Sequence, residues 1–142
     1  MTSPEHDFRT QILSGTEHER WQLAAREDLP EFAYRMLLEA GEASVVSSLA
    51  QNPKCPPDVL DDIVREASGD LSMQARLNPN AFPDTKDPSP AGQHSTLSID
   101  RYLTDRSATL EQRASFARKH RESPVFGGPL IRDLWSEVIS SK

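Results

Sequence analysis

The chain has 142 residues, 36% hydrophobic and 27% charged, and a net charge of −6. That length suits one domain spanning residues 1–142, and a mean hydropathy of −0.61, with no apolar run of about eighteen residues, excludes a membrane span. The polar, acidic start MTSPEHDFRT matches neither a signal nor a transit peptide, so the expected location is the cytoplasm; the lone Cys55 has no intramolecular disulfide partner and cannot hold an iron–sulfur cluster alone.

In chain order, helical sequence begins at Pro4, with Phe8 and Ile12 inward, and continues to Leu23. Tyr34, Leu37 and Leu38 stand at i, i+3 and i+4, which puts all three on one helical face. Gly41 is placed to end that helix in the left-handed conformation, and a shorter helix with Val45 and Leu49 inward follows. The stretch LAQNPKCPPDVLDDI, residues 49–63, then stops the chain. Pro53 lacks an N–H and pushes Asn52 out of the helical region, leaving backbone groups that the Asn52 side chain can bond. Pro56 and Pro57 suit the start of the next helix and Asp58 its positive end. Leu60, Ile63 and Val64 renew the apolar stripe, Gly69, Leu71 and Ala75 renew the short helix, and Asn78-Pro79 renews the stop.

A shift of 26 residues makes this regular: Pro4 falls on Pro30 and Pro56, Phe8 on Tyr34 and Leu60, Ile12 on Leu38 and Val64, Leu23 on Leu49 and Ala75, and Asn52-Pro53 on Asn78-Pro79. Self-similarity at a fixed period is the mark of a repeat architecture. No segment alternates as a half-buried strand does, so no sheet is expected.

The stretch VVSSLAQNPKCPPDVLDDIV resembles the repeat of the variant leucine-rich repeat (LRV) proteins, through Leu49, Ala50, Asn52, Pro53, Pro56 and Val59 or Leu60. The resemblance covers residues 4–83. It implies an all-α fold, a short HEAT-like helical-repeat superhelix or solenoid of α and 3₁₀ helices in 26-residue units. Arg26-Glu27 stand where Asn-Pro belongs, and Phe82 stands for Pro56. The family's cysteine-rich cluster segment has no counterpart, so neither its iron–sulfur cluster nor any other cofactor is expected.

Residues 84–98, DTKDPSPAGQHSTLS, read as a mobile Pro/Ser/Gly-rich loop. Residues 99–142 read as a helical cap, a degenerate last unit in which Phe116-Ala117 resemble Leu49-Ala50, and Leu130, Ile131, Leu134 and Trp135 resemble Val59, Leu60, Ile63 and Val64. A stack needs such a cap to end its apolar face. Within it, TLEQRASFARKHR, residues 109–121, sets Leu110, Ala114 and Ala117 against basic Arg113, Arg118, Lys119 and Arg121. Residues 1–95 carry a net charge of −8 and residues 96–142 one of +2.

Little in the chain points to catalysis. His6, His18, His94 and His120 lack metal-ligand spacing and read as surface residues. Asp61-Asp62 and Glu27-Asp28 are neighbours that point about 100° apart on a helix, Gly127-Gly128 reads as a turn, and Cys55 as a buried, inert thiol. No catalytic, cofactor-binding or metal-binding residue is expected, and the chain is read as no enzyme. Asn52, Pro53, Pro56, Asn78 and Pro79 are the structural turn residues. The lane Trp21, Ser47, Met73 lies two positions after the inward Glu19, Val45 and Leu71, so Trp21 and Met73 are expected to be exposed anchors for a protein partner, unless Trp21 folds over the N-terminal end of the stack. The expected function is a non-catalytic binding module or scaffold for another protein. The alternative is a small nucleic-acid-binding module using Arg113, Arg118, Lys119 and Arg121, disfavoured by the negative charge. No oligomeric state is implied.

Overall fold

A computed structural model of the chain describes residues 4–140. The protein is all-α: the described residues form ten α-helices and one 3₁₀ turn, with no strand. None of the described helices is long and apolar enough to cross a membrane. The chain divides into two compact units, Met1–Ala75 and Arg76–Lys142.

The first unit holds three helix pairs: α1 (Pro4–Ser14) with α2 (Glu17–Ala24), α3 (Glu31–Ala40) with α4 (Ala43–Gln51), and α5 (Pro57–Glu66) with α6 (Asp70–Arg76), whose last residue crosses into the second unit. Leading helices therefore start at 4, 31 and 57 and following helices at 17, 43 and 70. Most of the apolar stripes are buried: Ile12, Tyr34, Leu37, Leu38, Leu60 and Ile63 from the leading helices, and Leu23, Val45, Leu49 and Ala75 from the following ones, while Phe8, Val64 and Leu71, expected inward as well, are half-buried. Glu19 departs from the expected inward lane. It is exposed and completes a capping box with Thr16 at the start of α2, which satisfies two backbone donors at once. Gly41, at φ +72°, ends α3 in the left-handed conformation, whereas Gly69 ends no helix. α5 already stops at Glu66, and Gly69 lies just before α6.

The Asn-Pro turn is the joint between pairs. Asn52 is buried; its Nδ2 donates to the carbonyls of Ala24 at 2.9 Å and Arg26 at 2.7 Å, and its Oδ1 accepts from the Lys54 N–H at 2.9 Å. The local bond was expected from the sequence, but the two bonds back to the end of α2 were not. Only the backbone carbonyl of Arg26 takes part in this joint. Arginines brace the same pairs: Arg20 bonds Glu42 and the carbonyls of Ile12 and Gly15, and Arg35 bonds Asp58 and Asp62.

The second unit comprises α7 (Pro83–Lys86), a 3₁₀ turn (Ala91–Gln93), α8 (Thr96–Asp105), α9 (Leu110–Glu122) and α10 (Ile131–Ser140). Its core is Ala91, Ile99, Tyr102, Leu103, Phe116, Ile131, Leu134 and Val138. Phe116 lies 6.0 Å from Tyr102 and Trp135 meets Tyr102 edge-on at 6.2 Å. The reading of 84–98 as a mobile loop fails here: Thr85, Lys86, Ser89, Ala91, His94 and Ser98 are all buried. Gly92 shows how tightly this segment packs, since a Cβ there would sit 1.9 Å from the Pro124 carbonyl oxygen. The apolar face assigned to α9 is also corrected. Leu110 is 86% exposed and Phe116 is the buried residue, because the side chain large enough to fill the space beside Tyr102 faces inward.

Candidate functional site

In the first unit an open cleft of about 530 Å³ lies between α2 and α4. Its walls are small: Ala25 from the end of α2, and Ser44, Ser47 and Ser48 from α4, with Gln51 and Pro53 toward the turn. Trp21 stands at its edge and also lines a neighbouring hollow of about 360 Å³ with Glu17, His18 and Ser44. The indole is 44% exposed and stacks on His18 with ring centres 5.6 Å apart. Both other members of the expected lane are half-buried; Ser47 Oγ donates to Gln74 Oε1 at 3.0 Å. The lane is thus open at Trp21 and partly covered at Met73, which corrects the expectation that Met73 is an exposed anchor.

Charge around the cleft is one-sided. The first unit has six Lys and Arg against fourteen Asp and Glu. Its arginines are engaged inside the unit: Arg20 with Glu42, Arg26 with Asp28, Arg35 with Asp58 and Asp62, Arg65 with Asp61 and Asp62, and Arg9 over the Phe32 ring. Hydrogen bonds from Arg20, from Arg26 and from Arg35 and Arg65 respectively hold the carboxyls of Glu42, Asp28 and Asp62 below the usual carboxylate range. Asp61-Asp62 are therefore ion-pair partners rather than an acid–base couple. Glu17 and Glu27 line the two hollows, and no Lys or Arg does.

In the second unit the four basic residues of α9 do not form one surface. Arg113 bonds Asp100 at 3.0 Å and Thr104 at 2.7 Å, and Lys119 pairs with Glu137 at 3.2 Å. Arg118 and Arg121 are exposed and border a shallow depression of about 710 Å³ with Thr109, Glu111 and Ser115.

The most concentrated polar chemistry was missed by the sequence reading, which placed the histidines at the surface. His94 is buried, with Nε2 2.6 Å from Ser89 Oγ and Nδ1 2.7 Å from Ser98 Oγ, and its carbonyl oxygen accepts from His120 Nε2 at 3.0 Å. Beside it Lys86 Nζ donates to the carbonyls of Pro79 and Ser98 at 2.8 and 2.9 Å. Burial pushes the His94 imidazole down to about 3 and the Lys86 amine down to about 8. Serine beside histidine is the arrangement of an activated nucleophile, but Ser89, Ser98 and Lys86 are fully buried, with no surface open to a substrate. Both ring nitrogens of His94 are held by serines, so the group ties α7, the 3₁₀ turn and α8 together. The signal in the sequence was the spacing Lys86, Ser89, His94, Ser98, hidden by a composition typical of loops.

Cys55 is fully buried and burial pushes its thiol up to about 12, far from the poised thiolate of a reactive cysteine. Among the described residues no group of three or more His, Cys, Asp or Glu side chains is placed to hold a metal ion. The turn residues fall as follows: Asn52, Pro53 and Pro56 join α4 to α5, while Asn78 and Pro79 precede α7 in the second unit, where Asn78 Oδ1 accepts from the Asn80 N–H at 2.9 Å. Compared with known proteins, the chain matches no protein family, no curated protein and no solved structure.

Proposed function

We propose that the chain is a non-catalytic binding module that holds another protein in the cytoplasm, and that its first unit is a short LRV-like, HEAT-like helical-repeat array. The observation that carries this reading is Trp21: a large aromatic side chain left 44% exposed at the edge of an open cleft walled by alanine and serine. Aromatic anchors beside small-residue clefts are the residues that dominate protein–protein affinity. The repeat reading draws support from the helix starts at steps of 26 or 27 residues and from the Asn52 bonds to the preceding pair. Nucleic-acid binding through α9 has less support, because Arg113 and Lys119 are already ion-paired and only Arg118 and Arg121 are left for phosphates.

Affinity capture from the native cell tests the reading, with nuclease on one arm and Trp21→Ala on another. A protein partner retained after nuclease and lost with Trp21→Ala is the expected result. A partner lost on nuclease treatment and on reversing Arg118 and Arg121 to Glu transfers the function to nucleic acid.

A further inference from the structure

The α2–α4 cleft also carries information about what enters it. Trp21 separates two hollows, one reaching Glu27 and the other Glu17. Glu27 makes no ion pair, and Glu17 accepts a long bond from Ser44 Oγ at 3.3 Å and lies within electrostatic reach of Arg20, whose guanidinium is bonded to Glu42. No Lys or Arg lines either hollow, where His18 stacks on one side of the indole, and the arginines of the unit are spent on internal partners. Two carboxylates, Glu17 and Glu27, thus flank the exposed indole, on a unit whose sequence carries a net charge of −8. An indole face attracts a cation within about 6 Å of its centre, and a carboxylate on either side adds to that attraction while repelling an acidic visitor. The serines of α4 leave room for a backbone to lie close.

We propose that this cleft takes an extended arginine- or lysine-bearing segment of the partner protein, with the cationic head over Trp21 between Glu17 and Glu27. The inference rests on the protein-binding reading above and specifies the partner's chemistry.

The test uses the full chain and four acetylated, amidated peptides: Gly-Arg-Gly-Arg-Gly-Arg-Gly and its Lys, citrulline and Glu counterparts. Binding is read by calorimetry and by the Trp21 indole N–H resonance, assigned by its absence in Trp21→Phe. The Arg and Lys peptides should shift that resonance saturably, and the citrulline peptide should bind about tenfold more weakly, the loss of one desolvated cation–π contact. Trp21→Ala should weaken Arg-peptide binding by about tenfold or more. The double substitution Glu17→Gln with Glu27→Gln, both at exposed positions that leave the core untouched, should weaken it several-fold. The proposal is overturned by equal binding of the Arg and citrulline peptides, by binding of the Glu peptide, by Arg-peptide binding unchanged in Trp21→Ala, or by a self-associated chain that dissociates on reversing Arg118 and Arg121, which would make a second copy the occupant. Should the Arg peptide fail while native-cell capture still depends on Trp21, the cationic class falls and the protein-binding reading stands; failure of both removes both.

Discussion

The side-chain amide of Asn52 reaches back 26 residues to donate to the carbonyl of Arg26 at 2.7 Å. With its second bond to Ala24 and the accepted bond from Lys54, this one buried side chain satisfies three backbone groups where two helices end.

Replacing Asn52 by Ala should therefore lower the unfolding free energy by about 2–3 kcal/mol, since a deleted partner leaves buried polar groups unsatisfied. Asn52→Asp should also destabilise, because a carboxylate cannot donate to the two carbonyls. Urea melts of the three proteins check this, and an unchanged midpoint for either variant would remove the joint role of Asn52.

His94 makes stability sensitive to acid. Its folded pKa is lowered, to about 3 from 6.5, so between those values the unfolded chain binds a proton that the folded chain refuses. Stability from this group is complete above about pH 6.5 and declines toward pH 3, by up to about 1.4 kcal/mol per pH unit. The stretch from pH 6.5 to 5 isolates it, ahead of the carboxylates. His94→Gln should flatten the dependence there, measured by denaturant unfolding at stepped pH.

Lys86 predicts a rise on the alkaline side. Its folded pKa of about 8 lies below the ordinary 10.5, so the unfolded chain holds the extra proton between these values and stability from this group grows with pH across that window. The neutral amine keeps two N–H groups for the carbonyls of Pro79 and Ser98, so deprotonation breaks neither bond. The buried Cys55 thiol, pushed up from 9.0 to about 12, acts oppositely from about pH 9, and Tyr102, raised from 10.0, joins it near the top of the window. The comparison with Lys86→Met isolates the lysine: the wild-type advantage should grow by up to about 1.4 kcal/mol per pH unit from pH 8 upward.

Cys55 should resist a water-soluble disulfide reagent at pH 8 in the native protein and react fully in denaturant. Rapid labelling of the folded chain, followed by absorbance of the released thiol, would contradict its complete burial.

Much of the first unit is legible in the sequence because its rules are local. Tyr34, Leu37 and Leu38 must share a face, Gly41 can turn left-handed, and Pro57 can begin a helix but not continue one. What stayed hidden depends on partners distant in sequence. Nothing local says that Asn52 bonds the end of α2, or that Met73 is half-covered. In 84–98 the hydrophobic pattern is silent because Lys86, Ser89, His94 and Ser98 are buried by mutual hydrogen bonding rather than by apolarity. On α9 the pattern misled: Leu110 and Phe116 lie on different faces, and the burial of Phe116 beside Tyr102 turned Leu110 to solvent. The cleft itself was signalled only by the lane Trp21, Ser47, Met73.

The joint at Asn52 is asymmetric in what it demands. The donor side requires one particular amide, whereas the receiving side offers main-chain carbonyls that any residue supplies. Selection at such a joint therefore falls on one partner only. The residues at positions 24–26 are free of any obligation to covary with Asn52, and a helix pair inserted ahead of it needs to end its second helix in the right place but not to bring a matching side chain. Any residue at position 26 offers the same carbonyl, so a change of side chain there leaves the Asn52 joint intact.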